Sequence, residues 1–413
     1  MALIAGCALA CGSTGKDAQP SAGGSAGVAQ GGTGAGVAGS GASGMFGTGV
    51  GGQAGRGVAG EVSIPPATGA PGKWENVTSP DMDPALFTGS SGFGVGNIVQ
   101  HPHRPTDMFV GGYGSLWKSA DYGFTWAEVP SNPKPEYEPL GHVLAVGGDA
   151  RTTILWLANG SGGQKVYRSM NGGLDFTLTG ALTGGPDAAL YSIVVDPRDS
   201  THLISGFHEQ DGLAESTDSG DTWHYVGATG WPSGGVSWFP FFIDTGDAAT
   251  TRKTWLAIAQ NGGSVTITTD AGASWVTPDA IAGVQHPHGN SSLYQHGDTL
   301  FIAGIQGAGD GIYRSTDLGQ TWTRVSTQGE GIVWGSEKSL YAMWGWACAS
   351  CTWESPTQSI VAPQPGTDWS NAPVEATNGL NWGPNSVAVT SDGTHAIFVG
   401  SMWSSGLWRY VEP

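Results

Sequence analysis

Ser119-Ala120-Asp121-Tyr122-Gly123-Phe124-Thr125-Trp126 returns as Ser216-Thr217-Asp218-Ser219-Gly220-Asp221-Thr222-Trp223, as Thr268-Thr269-Asp270-Ala271-Gly272-Ala273-Ser274-Trp275 and as Ser315-Thr316-Asp317-Leu318-Gly319-Gln320-Thr321-Trp322. A looser copy is Ser169-Met170-Asn171-Gly172-Gly173-Leu174-Asp175-Phe176. The copies begin at 119, 169, 216, 268 and 315, a period of about 50 residues that suits one small sheet per repeat. The residue types explain the octet as a hairpin staple. The carboxylate at its third position accepts hydrogen bonds from the turn's own backbone. The glycine takes positive φ without a steric penalty. The indole supplies a large apolar plug between sheets. Asp121, Asn171, Asp218, Asp270 and Asp317 are therefore structural residues.

Each octet follows two β-like runs. The second runs align as MFVGG (108–112), ILWLA (154–158), HLISG (202–206), TWLAI (254–258), LFIAG (300–304), LYAMW (340–344) and AIFVG (396–400), which makes seven units. The expected fold is all-β: a seven-bladed propeller of four-stranded blades over residues 73–413. The run at 406–410, GLWRY, matches a third strand, and the chain stops before a fourth. Lys73-Trp74-Glu75-Asn76-Val77-Thr78 resembles the fourth strands at 125–129 and 321–325. It is expected to complete the last blade, which removes an open sheet edge.

With 16 Lys+Arg against 34 Asp+Glu, the net charge is −18, which repels phosphate backbones and anionic headgroups and argues against nucleic-acid and membrane-surface binding. Seventy glycines and 18 tryptophans fit short strands and tight turns rather than long helices. Residues 1–11, MALIAGCALAC, read as an export segment, resembling a bacterial lipoprotein signal in which Cys7 or Cys11 carries the lipid; a plain secretory remnant is the alternative. Residues 12–72 are rich in Gly, Ala and Ser and read as a flexible tether. The protein is expected to be exported, attached to membrane only through that anchor, and monomeric. In an oxidising compartment, Cys348 and Cys351 read as a structural disulfide, and no second Cys/His pair completes a metal site.

Strand counting sorts the connections onto two sides. Those from first to second and from third to fourth strands share the octets' side. Those from second to third strands and between units share the other, where propeller sites gather. His101-Pro102-His103-Arg104-Pro105 falls on the octet side and reads as a turn, like Asp196-Pro197-Arg198. The opposite side receives His142, His208, Glu209, Asp211, His286 and His288 as candidate acid/base groups. It also receives Tyr113, Gln260 and Asn261, and the loop tryptophans Trp231, Trp238, Trp344, Trp346, Trp382 and Trp403. An indole face stacks on sugar C–H surfaces; the competing reading of each tryptophan is packing between sheets.

The octet, S/T-x-D-x-G-x-T-W, is the Asp-box, and residues 73–413 resemble the Asp-box propellers. These include sialidases, xyloglucan-hydrolysing glycoside hydrolases, sortilin-type receptors and a photosystem II assembly factor. Gly92-Phe93-Gly94-Val95-Gly96-Asn97-Ile98-Val99-Gln100-His101-Pro102 is similar to the opening blade of the xyloglucanase type. That resemblance implies a catalytic aspartate just after the second strand, where this chain has Gly112 and Tyr113. No Phe-Arg-Ile-Pro motif supports a sialidase, and Arg168 and Arg314 sit on third strands. The expected partner is a polysaccharide or glycan, bound and, with a His-based site, cleaved as a hydrolase or lyase. A non-catalytic interaction scaffold is the alternative, and the sequence assigns no cofactor.

Overall fold

Every octet turns the chain through two consecutive left-handed residues. The fourth octet positions, Tyr122, Gly172, Ser219, Ala271 and Leu318, have φ of 59°, 73°, 63°, 59° and 55°. The fifth position is glycine each time, and at Gly123 a Cβ would come within 2.6 Å of Val399 on a neighbouring sheet. The third-position carboxylate holds the turn. Asp317 Oδ1 accepts from Ser315 Oγ at 2.8 Å and Thr321 N at 2.8 Å, and Oδ2 accepts from Thr321 Oγ1 at 2.6 Å. Asp121, Asp218 and Asp270 repeat the pattern. In the second copy Asn171 Oδ1 takes the same two bonds, while Asn171 Nδ2 donates to Asp175 Oδ2 at 2.8 Å.

The computed structural model describes residues 66–87, 97–112, 115–134, 144–159, 165–180, 182–227, 230–232, 234–261, 264–286, 293–304, 309–327, 331–343, 356–358, 370–371, 384–402 and 405–413. Its architecture is all-β, a β-propeller, and among these residues the strands make seven sheets. The first sheet runs Ile98–Gln100, Met108–Gly112, Ser115–Ser119 and Ala127–Glu128. The second runs Leu144–Gly147, Ile154–Asn159, Lys165–Ser169 and Thr177–Leu178. The third holds Val194–Asp196, Asp199–Gly206, Leu213–Ser216 and Trp223–Val226. The fourth has Val236–Phe242, Trp255–Asn261 and Val265–Thr268. The fifth runs Leu293–His296, Thr299–Gly304, Gly311–Ser315 and Thr323–Ser326. The sixth has Ile332–Gly335, Leu340–Met343, Pro356–Gln358 and Ser370–Asn371. The seventh has Pro384–Ser391, Ala396–Met402 and Gly406–Val411, and Trp74–Asn76 pairs antiparallel with its last strand, Trp74 opposite Tyr410.

Two sheets depart from the expected four strands. The third gains Leu182–Thr183, which lies parallel to Trp223–Val226. In the fourth, the outer strand shrinks to one bridge between Ile267 and Val276. Pro278 follows two residues later; its ring removes the N–H a continuing ladder needs. The first-to-second connection of that sheet also holds a short helix, Ala248–Thr251, capped by Asp247, whose Oδ2 accepts from Thr250 N at 2.9 Å.

Neighbouring sheets are cross-linked in sequence order. Asn97 Nδ2 donates to Leu144 O at 2.8 Å, and Trp156 Nε1 donates to Ser219 O at 2.8 Å. Arg198 pairs with Asp244 at 2.5 Å, and Gln295 Nε2 donates to Asp244 O at 2.7 Å. Tyr341 OH donates to Glu412 at 2.8 Å, and Ile98 N donates to Ser386 Oγ at 2.8 Å. Between these links the sheets bury aromatic side chains; Trp126, Trp223, Trp275 and Trp322 are all buried.

Arg409 lies where the first and last parts of the chain meet. It is wholly buried, with Nε donating to Tyr122 O at 2.9 Å and Nη1 to Thr68 O at 2.6 Å. Its guanidinium carbon sits 5.4 Å from the Phe124 ring centre, and Glu75 is 3.9 Å away.

Candidate functional site

Two non-glycine residues in the left-handed region define this site. Glu209 (φ 53°) lies in the connection after Asp199–Gly206, and Ser237 (φ 56°) near the start of Val236–Phe242. Such backbone costs about 1–3 kcal/mol per residue and persists only where surroundings enforce it. Here the two enforce each other: Glu209 N donates to Ser237 Oγ at 2.8 Å, and Ser237 N donates to Gln210 O at 3.2 Å.

The interlock brings two predicted histidines to one buried tyrosine. The Tyr191 ring is 5.6 Å from His208 and 6.1 Å from His286. Phe239 closes the back, 5.7 Å from His286 and 6.2 Å from Tyr191. His286 is only 2% exposed, and its Nε2 lies 3.2 Å from Ser237 O, so that nitrogen carries a proton and donates. His208 is half-buried. Burial pulls its pKa below the usual histidine range, and the neighbouring Glu209 carboxylate partly offsets this. A neutral imidazole near pH 7 is a competent proton acceptor. Glu209 and Asp211 are exposed.

Beside this group, the Trp231 indole N–H donates to Asp211 Oδ1, and the ring packs 4.6 Å from Trp238 and 4.8 Å from Trp275. Trp231 is half-buried and keeps part of its surface open. Trp238 requires a correction. The sequence puts it at the head of the run 238–243, flanking a connection, but the strand already begins at Val236, so Trp238 is wholly buried and donates from Nε1 to Gly235 O at 3.1 Å. It belongs to the inter-sheet core. Gln260 is half-buried, and Asn261 ends the strand Trp255–Asn261. Tyr113, His142, His288, Trp344, Trp346, Trp382, Trp403, Cys348 and Cys351 lie outside the described residues, as do Cys7 and Cys11.

Sequence reasoning missed Tyr191 and Ser237. Tyr191 heads an apolar run and reads as core; its place before an inner strand, the same as that of His142, was the available signal.

Other histidines serve the fold. His101 is buried on the octet side, with Nε2 2.9 Å from Thr152 O, and burial lowers its pKa to about 4. His202 is buried between Asp196 (3.1 Å) and Glu215 (2.8 Å), and Glu215 also meets His224 at 2.8 Å. Burial opposes charge on His202, but the two carboxylates outweigh it and hold its pKa above the ordinary value. Both ring nitrogens are engaged, so no lone pair remains for chemistry. Among the described residues no cluster of three or more His, Cys, Asp or Glu could hold a metal ion, and no helix is long and apolar enough to cross a membrane.

No family model matches the chain. A xyloglucanase from Paenibacillus sp is 30% identical over 141 residues, covering 34% of this chain and 11% of that protein. The chain thus spans about a tenth of that relative. Among solved structures, a GH74 xyloglucanase from Xanthomonas campestris superposes with a TM-score of 0.56 at 19% identity, over 81% of this chain and 53% of that one. YCF48 bound to D1 peptide superposes with a TM-score of 0.51 at 12% identity, over 84% of this chain and 99% of that one. These likenesses establish the β-propeller fold, and 141 residues of the chain are similar to part of the Paenibacillus xyloglucanase.

Proposed function

We propose that this chain is an exported, polysaccharide-handling propeller whose site lies opposite the octets, at Tyr191, His208, Glu209 and His286. The observation that carries this reading is the interlock of Glu209 and Ser237, which sets two histidines against one tyrosine beside a half-open indole, Trp231. A strained backbone, a base with lowered pKa and an aromatic platform together suit a sugar ring better than they suit packing alone. The sequence likeness to a xyloglucanase supports a glycan ligand. The net charge of −18 favours a neutral polysaccharide over an acidic one. In hydrolysis, His208 takes the proton of the attacking water, and Glu209 or Asp211 supplies the proton that the departing glycosidic oxygen needs.

The finer architecture belongs to the same reading. The seven sheets are seven blades, the octets are Asp-boxes pinning their hairpins, and Trp74–Asn76 closes the ring as the outer strand of the last blade. The N-terminal segment exports the protein and anchors it through Cys7 or Cys11, and Cys348 and Cys351 form a disulfide.

The test is retention of the folded protein on a panel of neutral and acidic polysaccharides, read together with released oligosaccharide. Retention on at least one polymer, lost in Trp231→Ala and with cleavage lost in His208→Ala, is the expected result. No retention on any polymer sinks the reading.

A second reading is a protein-interaction scaffold. It is favoured by a groove of about 670 Å³ between the first two octets, with Met170 (57% exposed) and Leu174 (50%) on its wall. The fold likeness to a propeller described as bound to a peptide is compatible with it. Capture of an extended apolar peptide without glycan retention would select this alternative.

A further inference from the structure

On the octet side, the connections between first and second strands are of two kinds. In the first four sheets they are tied across by arginines. Arg104 Nη1 donates to Asp149 O and Thr152 O at 3.3 Å, and Arg252 pairs with Asp199 at 2.6 Å. In the fifth to seventh sheets these connections contain no arginine: 296–299 reads HGDT, 335–340 GSEKSL and 391–396 SDGTHA. A cavity of about 160 Å³ opens there, lined among others by Tyr294, His296, Ser336, Glu337, His395 and Glu412.

Glu412 sets the chemistry of this cavity. The residue is 4% exposed, yet it lines the space. Ser336 Oγ at 2.9 Å and Tyr341 OH at 2.8 Å both donate to its Oε1. Among the described residues nothing donates to Oε2. Oε2 is not among the buried unpartnered atoms and so opens onto the cavity, where the N–H groups of a cation can donate to it in charge-assisted hydrogen bonds. Glu337 adds a second negative charge at the rim. The Tyr294 hydroxyl reports the same field: burial first, then the charges of Glu412 and Glu337, push its pKa up. Lys338, the nearby cation, is directed elsewhere, donating to Pro413 O at 2.7 Å. The lining does not gather three metal-ligating side chains, so an organic cation suits it better than a metal ion.

We propose that this cavity binds a single organic cation, a primary ammonium or guanidinium group, received by Glu412 Oε2 and drawn in by Glu337. The site is on the other side from the glycan site and does not depend on that reading. Its ligand is either a small free cation or the basic side chain of a protein partner.

The test is calorimetric titration of the full chain with three probes: agmatine, a blocked Gly-Arg-Gly peptide and its neutral citrulline counterpart. Saturable binding of at least one cationic probe and none of the citrulline peptide is expected. Agmatine alone binding marks a free small cation; the arginine peptide binding marks a partner side chain. Glu412→Gln should weaken binding at least tenfold, about 1.4 kcal/mol. Because that change also touches the Ser336 and Tyr341 bonds, Thr394→Lys, on an exposed turn at the rim, supplies an independent competing ammonium and should weaken binding similarly. Absence of saturable binding, equal affinity for citrulline, or unchanged affinity in both variants overturns the proposal.

Discussion

Replacing Arg409 with methionine tests whether the front of the chain completes the ring. Methionine keeps most of the apolar stem, so the change is chiefly the loss of the guanidinium. Two charge-assisted bonds go, from Nε to Tyr122 O and from Nη1 to Thr68 O. Each contributes about 1.5–3 kcal/mol, and the orphaned carbonyls add to the loss. Against this, Arg409 Nη2 has no partner in its buried position, so removing the charge relieves a desolvation cost of several kcal/mol. Glu75, at 3.9 Å and a third exposed, rehydrates when its cation leaves. The balance is a net loss of about 2–3 kcal/mol, or roughly 5 °C in melting temperature for a domain of this size. Calorimetry measures the stability, and trypsin cleavage after Lys73, next to the closing strand, reads the release of that segment. A variant within about 0.5 kcal/mol of the parent, with unchanged cleavage at Lys73, would refute the idea that this clasp holds the ring shut.

Acid should destabilise the protein through His101. Its folded pKa of about 4 lies below the unfolded 6.5, so the unfolded chain binds more protons between those values. The contribution is complete above pH 6.5 and falls away by about 3 kcal/mol as pH drops to 4, and urea midpoints at pH 7 and 4.5 should show a smaller difference in His101→Gln. In the second octet, Asn171→Asp alone sets two carboxylates against each other and should cost about 1 kcal/mol. The double change Asn171→Asp with Asp175→Thr should recover it, as read by thermal melts of both variants.

The octets made most of the fold legible, because their chemistry is local: a carboxylate, a hydroxyl and a glycine close the same turn wherever they recur. The second strands were legible for a similar reason, and 108–112 coincides with Met108–Gly112. What escaped was set by distant parts of the chain. Leu182–Thr183 forms a strand only because Trp223–Val226 offers an edge, and two residues carry no readable period. The fourth sheet loses its outer strand at Pro278, a breaker already visible in the sequence. At the candidate site, strand parity was enough to send His208 and His286 to one side. It could not reveal that Tyr191 stands between them, since an aromatic heading an apolar run looks like core. Trp238 heads the apolar run 238–243 yet is core, because the strand starts two residues earlier, with Ser237 in a left-handed backbone.

The swapped pair in the second octet also bears on how such repeats can be shuffled. Four copies place the acid third and a hydroxyl seventh, whereas this one places the amide third and the acid seventh, with the bond between them kept at 2.8 Å. A genetic crossover inside the eight codons would join halves of opposite polarity, either acid facing acid or amide facing hydroxyl. A crossover anywhere in the intervening strands would move each matched couple intact. Duplication of whole units is therefore tolerated, and the seams between ancestral copies should fall outside the turns.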